Sequence, residues 1–200
     1  MTTFGFVRHG VTAWNKEKRA QGSSDIPLDE EGIEMAARVA KRLSSEQWDI
    51  ICTSPQLRAK QTAEMIAERL PNLPFHSDSR LREVGGGLIE GTTEAERIAK
   101  WGESWRELDL GTEPFEEVIA RGVDFLEEMK AKYPGKRILV VSHGGFIWRL
   151  LGVLIPEREF EKNLQNTSVT VVEVQEDVNL CHLYNCTKHL SSFSRRLPPP

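Results

Sequence analysis

The amino-acid sequence alternates between short apolar runs and longer segments in which apolar positions recur every three or four residues. The short runs at residues 4–7, 48–53 and 138–141 are typical of strands that are buried on both faces of a sheet. The periodic segments at residues 29–44 and 54–70 are typical of helices that bury one face. Strands that alternate with helices in this way predict a mostly parallel sheet covered by helices.

Capping residues set the predicted boundaries of the first helices. Asp29 is predicted to cap the first helix, and Ser54, followed by Pro55 at the first helical position, to cap the second. Thr93 and Glu96 form a capping-box pattern for a later, shorter helix. The predicted apolar faces consist of Ile33, Ala36, Ala37, Ala40 and Leu43 in the first helix, and Ala59, Ala63, Ile66 and Leu70 in the second.

The second half of the chain repeats this alternation. Pro114 is predicted to begin a long helix that Gly135 closes. Its predicted apolar face consists of Phe115, Val118, Ile119, Leu126 and Met129. The other predicted elements are a strand at 138–142, a helix from Gly144 and a closing strand pair at 168–174 and 178–184.

The predicted fold class is α/β, a three-layer sandwich with a mostly parallel central sheet and helices on both faces. Residues 1–190 are predicted to form a single domain, because a chain of 200 residues needs no second core and no linker divides it. Residues 191–200, with Arg195, Arg196 and three terminal prolines, are predicted to be a disordered tail because they lack apolar content.

Composition and charge narrow the class of protein. The 39% apolar and 28% charged residues are ordinary for a soluble globular protein, and the net charge of -4 argues against a nucleic-acid surface. No secretion signal is visible at the start, and the longest nearly uncharged stretch, residues 138–154, is interrupted by His143 and Arg149. We therefore expect a soluble cytoplasmic protein with no membrane partner.

The number and spacing of the cysteines also favour a cytoplasmic protein. Three cysteines are too few and too unevenly spaced for a disulfide framework, which fits a reduced cytoplasmic setting. Cys181, His182 and Cys186 form a loose cluster without CxxC spacing, so buried thiols in the last strand are the preferred interpretation. No metal site is expected.

Two of the predicted strands end on a histidine, His9 and His143, and glycine follows each of them. In an open α/β sheet, ligands bind in the crevice beyond the carboxyl ends of the strands. Arg8, and Arg58 at the start of a predicted helix, carry planar donors suited to phosphate or carboxylate oxygens. These residues indicate a local anion-binding site at this edge of the sheet.

Further donors are predicted near the same edge. Asn15 and the pair Gln21 and Gly22 lie in the loop after the first strand, where they can bind an anion without adding charge. The helix that begins at Gly144 directs its positive N-terminus there as well. We predict that Asn15, Gln21, Gly22 and Gly144 contact the substrate, although Asn15 and the pair Gln21 and Gly22, taken alone, are more typical of a turn.

The chemistry-bearing segments resemble the histidine phosphatase superfamily, which has the phosphoglycerate mutase-like fold, and within it the bacterial broad-specificity phosphatases. The first segment is a strand followed by Arg-His-Gly, which is the signature of that family. The similar segments are residues 7–15, residues 54–63, residues 81–83 with 90–91, and residues 142–144. Four segments in the family's order, spread over residues 3–184, are far more specific than any one of them.

The resemblance implies a role for each candidate residue. His9 would be the nucleophile that becomes a phosphohistidine, and Glu83 would be the proton donor to the leaving group. The chemistry suits these residue types, since imidazole is nucleophilic only when neutral and two neighbouring guanidinium groups favour that form. The groups implied to hold the phosphoryl oxygens are Arg8, Arg58 and a charged His143, with Asn15 assisting. No metal or other cofactor is implied.

The predicted reaction is the hydrolysis of small phosphorylated metabolites. The family's lid lies here within residues 91–136. It is short, which leaves water access to the site and favours hydrolysis over transfer, and it is acidic, which disfavours highly anionic substrates. A phosphoglycerate mutase of the same fold and a non-catalytic phospholigand-binding protein are the alternatives. The sequence leaves the physiological substrate and the oligomeric state open.

Two features of the sequence bear on the walls of the predicted pocket. Gly85, Gly86 and Gly87 depart from the family's pattern after Glu83, and we expect them to loosen the loop that holds this acid. The tryptophans of the lid, Trp101 and Trp105, are expected either to shield a leaving group or to pack onto the body of the domain.

Overall fold

The computed structural model describes residues 1–175 and 178–191, and within them it forms a six-stranded mixed sheet. The strands are β1 (Thr2–Arg8), β2 (Ile50–Thr53), β3 (Phe75–Ser77), β4 (Arg137–Ser142), β5 (Val169–Val174) and β6 (Leu180–Cys186). Their order across the sheet is β3-β2-β4-β1-β5-β6. The three pairs formed by β1 to β4 are parallel, whereas β1–β5 and β5–β6 are antiparallel. The predicted mostly parallel sheet is confirmed.

Helices cover both faces of this sheet. They are α1 (Ala13–Lys16), α2 (Glu30–Leu43), α3 (Leu57–Arg69), α4 (Glu94–Trp101), α5 (Phe115–Lys132) and α6 (Gly144–Leu154). α2 and α3 contribute to one apolar cluster against the sheet, and α5 and α6 to another. The predicted three-layer sandwich is therefore confirmed. Among the described residues, no helix is long and apolar enough to cross a membrane.

The alternation of side chains along β4 explains how both layers are held. Ile138 and Val140 belong to the cluster with α5 and α6, whereas Leu139 and Val141 belong to the cluster with α2 and α3. All four side chains are fully buried. Because successive residues of a strand point to opposite faces, a continuous apolar run is the pattern that a strand between two helical layers requires.

The start of α3 differs from the prediction. Gln56, rather than Ser54, is the N-cap of this helix, which begins at Leu57. Ser54 instead has its Oγ 2.8 Å from Nε2 of His143, and the N–H of Leu57 donates to an oxygen of Asp25 at 2.5 Å. These contacts with residues distant in sequence therefore outweigh the local preference of Ser54 and Pro55 to begin the helix. The predicted tail falls mainly on residues 192–200, which lie outside the described residues.

The buried face of α2 is also turned relative to the prediction. Asp29 caps the helix as expected, but Ile33 and Ala37 are exposed while Met35 and Val39 are buried. The cause is Gly32, whose backbone lies so close to the preceding loop that an added Cβ would be 2.0 Å from the carbonyl oxygen of Val11. A close backbone approach that only glycine permits thus sets the orientation of the helix.

The remaining helices agree more closely with the prediction. Thr93 and Glu96 form the capping box of α4, and α5 follows directly after Pro114. The prediction that Phe115 lies on the buried face of α5 is wrong: it is 49% exposed, and Glu116 and Glu117 beside it in the first turn are exposed as well. The sequence patterns missed α1 and β3, which are only four and three residues long.

Candidate active site

The two His-Gly turns lie side by side because β1 and β4 are adjacent parallel strands. Arg8 pairs in register with Ser142, and the N–H of His9 donates to the carbonyl of Ser142 at 3.0 Å. The rings of His9 and His143 have their centroids 5.2 Å apart, and both residues are buried. The order of the strands therefore brings together two histidines that lie far apart in sequence.

The tautomer of His9 follows from its hydrogen bond. Its Nδ1 lies 2.6 Å from the carbonyl oxygen of Gly10, and a carbonyl can only accept, so Nδ1 carries the proton. Nε2 is left with its lone pair. Burial, followed by the charges of Arg8 and Arg58, holds the pKa of His9 well below its usual value. The imidazole is therefore neutral, and nucleophilic at Nε2, at pH 7.

Two guanidinium groups flank this imidazole. Arg58 is fully buried, and its terminal nitrogens donate to the carbonyls of Ser24 at 2.7 Å and Gly22 at 3.0 Å. Arg8 donates through Nη1 to the carbonyl of Leu164. Burial lowers the pKa of each arginine and the nearby Glu83 carboxylate opposes this, and both arginines stay charged.

His143 is held through Ser54, which sequence patterns had assigned only to helix capping. The Ser54 hydroxyl accepts the N–H of Gln56 at 3.3 Å, so its own proton can point to Nε2 of His143. This leaves Nδ1 of His143 as the protonated nitrogen. Burial, followed by Arg58, His9 and Arg8, holds the pKa of His143 well below its usual value. The expected charged His143 is therefore corrected to a neutral donor.

Three buried donors at this site point at no protein acceptor. Among the described residues, the buried side-chain atoms without a hydrogen-bond partner are Nε of Arg8, Nε of Arg58, Nδ1 of His143 and Nε1 of Trp48. All but the last lie around His9. Buried donors are normally paired, so three such atoms around one imidazole are suited to the oxygens of a bound anion.

Glu83 lies at the N-terminus of α6. One carboxylate oxygen accepts the N–H of Phe146 at 2.9 Å and of Val84 at 3.0 Å, and the other accepts the N–H of Gly145 at 3.3 Å. The backbone N–H of Glu83 donates to the side chain of Gln56 at 2.7 Å. Its charge reaches both Arg8 and Arg58, so the carboxyl borders the anion site as predicted.

An ion pair that sequence patterns did not reveal holds the loop of Glu83. Arg121, on α5, donates through Nη1 to the carbonyl of Arg82 at 2.8 Å and through Nη2 to the carbonyl of Glu83 at 3.3 Å. Glu113 binds Arg121 and also accepts the N–H of Gly85 at 3.0 Å. The signal in the sequence is only an acid and a base eight positions apart.

The glycines after Glu83 are held in place rather than loose. Gly85 is bonded to Glu113, and the N–H of Gly86 donates to Glu90 at 2.8 Å. Gly87 has a φ of +56°, and an added Cβ would lie 2.2 Å from the carbonyl oxygen of Leu110. The expectation that this run loosens the loop is wrong, because all three residues are held by contacts and Gly86 and Gly87 let the loop approach neighbouring groups closely.

The predicted substrate-contacting residues lie around the site in supporting contacts. The side-chain oxygen of Asn15 accepts the backbone N–H of Thr12 at 3.1 Å, and that of Gln21 accepts the hydroxyl of Thr12 at 3.0 Å. The carbonyl of Gly22 accepts from Arg58, and Gly144 lies against Arg8, where an added Cβ would be 3.2 Å from Nε. The amide nitrogens of Asn15 and Gln21 remain the groups through which these two side chains could contact a substrate.

The segment over the site, residues 92–114, packs on itself. Trp105 is buried and lies between the guanidinium groups of Arg97 and Arg106, at 4.9 and 4.4 Å from its ring. Its Nε1 donates to Glu94 at 3.1 Å. Trp105 therefore stabilises this segment rather than shielding a leaving group. α5, which was included in the predicted lid, belongs to the core of the domain.

A cavity of about 300 Å³ adjoins Glu83. Its walls include Gly22, Ile89, Gly145 and Arg149. This volume is at the small end of the range for ligand pockets. Within the described part of the chain, no group of three or more His, Cys, Asp or Glu side chains could hold a metal ion.

Comparison with known proteins agrees with this geometry. The family model described as "Histidine phosphatase superfamily (branch 1)" matches residues 4–187. An uncharacterized phosphatase, PhoE, of Bacillus subtilis is 35% identical over 96% of this chain and 99% of its own. A metal-independent phosphoserine phosphatase of Arabidopsis thaliana is 34% identical over 96% of this chain and 84% of its own.

The fold comparison gives the same family. The solved structure of Bacillus stearothermophilus YhfR superposes with a TM-score of 0.84 and 29% sequence identity, and covers 96% of this chain and 100% of its own. Both the arrangement of the site and the agreement over nearly the whole length lead to one conclusion. The chain belongs to the histidine phosphatase superfamily.

Proposed function

We propose that this phosphatase hydrolyses the phosphomonoesters of small metabolites without a metal ion, through a phosphohistidine formed on His9. The observation that carries the proposal is the neutral His9 with its Nε2 lone pair, surrounded by three buried donors that have no protein acceptor. Such a site offers a nucleophile for phosphorus together with partners for the phosphoryl oxygens. The small cavity beside Glu83 supports a small leaving group.

In the first step, Nε2 of His9 attacks phosphorus and the bond from phosphorus to the ester oxygen breaks. Arg8 and Arg58 stabilise the charge on the equatorial oxygens, and Nδ1–H of His143 donates to one of them. The departing alkoxide is a poor leaving group, so Glu83 in its acid form donates a proton to it. The products are the free alcohol and a phosphohistidine.

In the second step, water attacks the phosphohistidine. Glu83, now a carboxylate, takes a proton from the water as its oxygen bonds to phosphorus. The bond from nitrogen to phosphorus breaks, and Nε2 of His9 regains its lone pair. The sum of both steps is the conversion of a phosphomonoester and water into an alcohol and inorganic phosphate.

Hydrolysis is favoured over mutase chemistry by the segment above the site. A mutase must exclude water while the phosphohistidine waits for its acceptor. Here residues 92–114 are short, and Trp105 packs within them rather than over the cavity. Water that reaches the phosphohistidine completes a hydrolysis.

The test is hydrolysis of p-nitrophenyl phosphate by wild type, His9→Ala and His182→Ala, each with and without EDTA. We expect wild type and His182→Ala, whose substituted histidine lies on the exposed side of β6, to be active and insensitive to EDTA. We expect His9→Ala to be inactive. Mass spectrometry of wild type quenched during turnover should find the phosphoryl group on the peptide that contains His9.

Four results would contradict the proposal. Full activity in His9→Ala would show that His9 is not the nucleophile. Loss of activity with EDTA would show that a metal takes part. Absence of turnover in wild type from pH 5 to 8 would favour a phospholigand-binding protein. Phosphorus NMR of 3-phosphoglycerate with the enzyme tests the mutase alternative, because we expect inorganic phosphate, whereas accumulating 2-phosphoglycerate would indicate a mutase.

A further inference from the structure

Arg149 differs from the other residues of α6 in its charge. It is the only charged residue of α6, whose sequence is otherwise apolar or glycine. Yet it is half-buried, at a position that faces the Glu83 side of the helix. A half-buried guanidinium loses part of its hydration, so it gains from a partner that carries negative charge.

The direction of the Arg149 side chain is unfavourable for the helix itself. Nη1 donates back to the carbonyl of Gly145 at 3.1 Å, which brings the guanidinium towards the N-terminus of α6. The N-terminus of a helix carries partial positive charge, so a cation is disfavoured there. Among the described residues, no carboxylate lies within ion-pair distance of Arg149 to offset this. The guanidinium therefore has unused capacity to bind an anion.

Arg149 and Glu83 approach the same point at Gly145. A Cβ added there would lie 2.8 Å from Oε1 of Glu83 and 3.3 Å from Nη1 of Arg149. Both side chains line the cavity of about 300 Å³. Since Glu83 protonates the oxygen of the leaving group in the proposed mechanism, a group that contacts Arg149 belongs to the same leaving group.

The other charged group in the cavity is already satisfied. Glu113 binds Arg121 with both oxygens and Arg82 with one, at distances from 2.8 to 3.0 Å. It is therefore a neutralised part of the wall. Arg149 is the one cation that the cavity presents to a ligand within the described residues.

We propose that Arg149 binds a carboxylate on the leaving alcohol, so that the preferred substrates are phosphomonoesters of small hydroxy acids. This inference rests on the proposed function, because it assigns the non-reacting end of the substrate. A guanidinium matches the two oxygens of a carboxylate in a planar, bidentate manner. One carboxylate also matches the single positive charge, whereas a second phosphate would bring a further negative charge close to Glu83.

The test compares kcat/KM for two esters that differ in this group alone. 3-Phosphoglycerate carries the carboxylate, and glycerol 3-phosphate has a hydroxymethyl group in its place. We expect wild type to prefer 3-phosphoglycerate by about tenfold or more, as one charge-assisted pair provides. We expect Arg149→Met, which keeps the length of the side chain, to lose that preference, and Arg149→Lys to retain part of it.

Arg106→Met is the matched control, because Arg106 is exposed and pairs with Glu94 away from the cavity. We expect it to keep the wild-type preference. The inference is overturned if wild type does not prefer the carboxylate ester, or if Arg149→Met lowers kcat/KM for both esters by the same factor. Faster hydrolysis of propane-1,3-diol bisphosphate than of 3-phosphoglycerate would also overturn it, in favour of a second phosphate.

Failure of this inference can be distinguished from failure of the proposed function. If neither ester nor p-nitrophenyl phosphate is hydrolysed, the proposed function is wrong, and the carboxylate assignment falls with it. If p-nitrophenyl phosphate is hydrolysed with the expected dependence on His9 but the two esters do not differ, only the assignment of Arg149 is wrong.

Discussion

Arg121 and Glu113 form a bidentate ion pair in which Nε and Nη2 lie 2.9 and 3.0 Å from the two carboxylate oxygens. Each side chain is only 8% exposed. The same guanidinium donates to the carbonyls of Arg82 and Glu83, and its Cζ lies 4.8 Å from the centroid of the Phe146 ring. The pair thus connects α5 and α6 to the loop that holds the proposed acid.

We predict that Arg121→Met lowers both stability and kcat. The variant leaves Glu113 buried with Arg82 as its remaining cation, and breaking a buried pair costs about 3–5 kcal/mol. The carbonyls of Arg82 and Glu83 lose their donor as well, so Glu83 is held less well for proton transfer. Urea unfolding measures the first effect, and the ratio of kcat/KM on a poor leaving group to kcat/KM on a good one measures the loss of proton transfer to the leaving group.

Two further variants separate a lost pair from a general defect. The double variant Arg121→Met/Glu113→Gln removes both charges and should be more stable than the single variant. Lys130→Met, on the same helix with its ion pair to Glu127 near the surface, should change stability by less than about 1 kcal/mol. Equal losses in Arg121→Met and Lys130→Met would show that the pair does not hold the loop.

Glu83→Gln should affect substrates according to their leaving group. An amide cannot protonate an alkoxide, so we expect kcat/KM for glycerol 3-phosphate, which reports the first step and not the hydrolysis of the phosphohistidine, to fall by about 10²–10⁴. p-Nitrophenolate leaves without a proton, so the loss on p-nitrophenyl phosphate should be much smaller. Glu103→Gln, an exposed acid of the segment above the site, is the control and should leave both rates unchanged. The same loss on both substrates would contradict the role of Glu83 as proton donor.

The sequence contained most of the fold and the centre of the site, for a physical reason. His9 and His143 each follow an apolar run, and parallel neighbouring strands bring such strand ends together. The contacts of Arg121 and Ser54 could not be predicted. Arg121 binds carbonyls about 40 positions away, and Ser54 has a tertiary partner at His143 that outweighs its local capping preference.

The loop of residues 85–87 also depends on tertiary contacts that could not be predicted from the sequence. Three successive glycines predict conformational freedom, but the structure has Gly85 and Gly86 bonded to the carboxylates of Glu113 and Glu90. A glycine can make the backbone flexible or let it pack closely against another group. Which of the two applies depends on the groups that the fold places next to it, and a single sequence does not show these. The rotation of α2 about Gly32 has the same origin.

Substitution of Gly87 tests this interpretation. Gly87→Ala places a Cβ 2.2 Å from the carbonyl oxygen of Leu110 at a φ of +56°, so we expect a loss of at least 1–2 kcal/mol in the free energy of unfolding. Gly152→Ala is the matched control, since it lies within α6 with open space around the added Cβ. It should stabilise the protein by roughly 0.5–1 kcal/mol. A similar effect of both substitutions on urea unfolding would contradict the close contact at Gly87.

His189 gives the protein a pH-dependent stability away from the site. Nη1 of Arg42 donates to its Nδ1 at 3.4 Å, which leaves Nε2–H to donate to Thr167 at 3.1 Å. Burial, followed by the charges of Arg42 and Arg38, lowers the pKa of His189 to about 4. In the unfolded chain the imidazole has its ordinary pKa of about 6.5.

Between these two values the unfolded state binds a proton that the folded state does not, so stability rises with pH. The contribution is fully present above about pH 6.5 and is lost as the pH falls towards about 4. We predict that wild type loses more of its free energy of unfolding between pH 7 and pH 5 than His189→Asn does. His9 and His143 shift in the same direction but are common to both proteins, so the difference between the two urea-unfolding series isolates His189. Identical losses in wild type and variant would mean that His189 binds protons equally well in the folded and unfolded states, so that neither its burial nor the charge of Arg42 lowers its pKa.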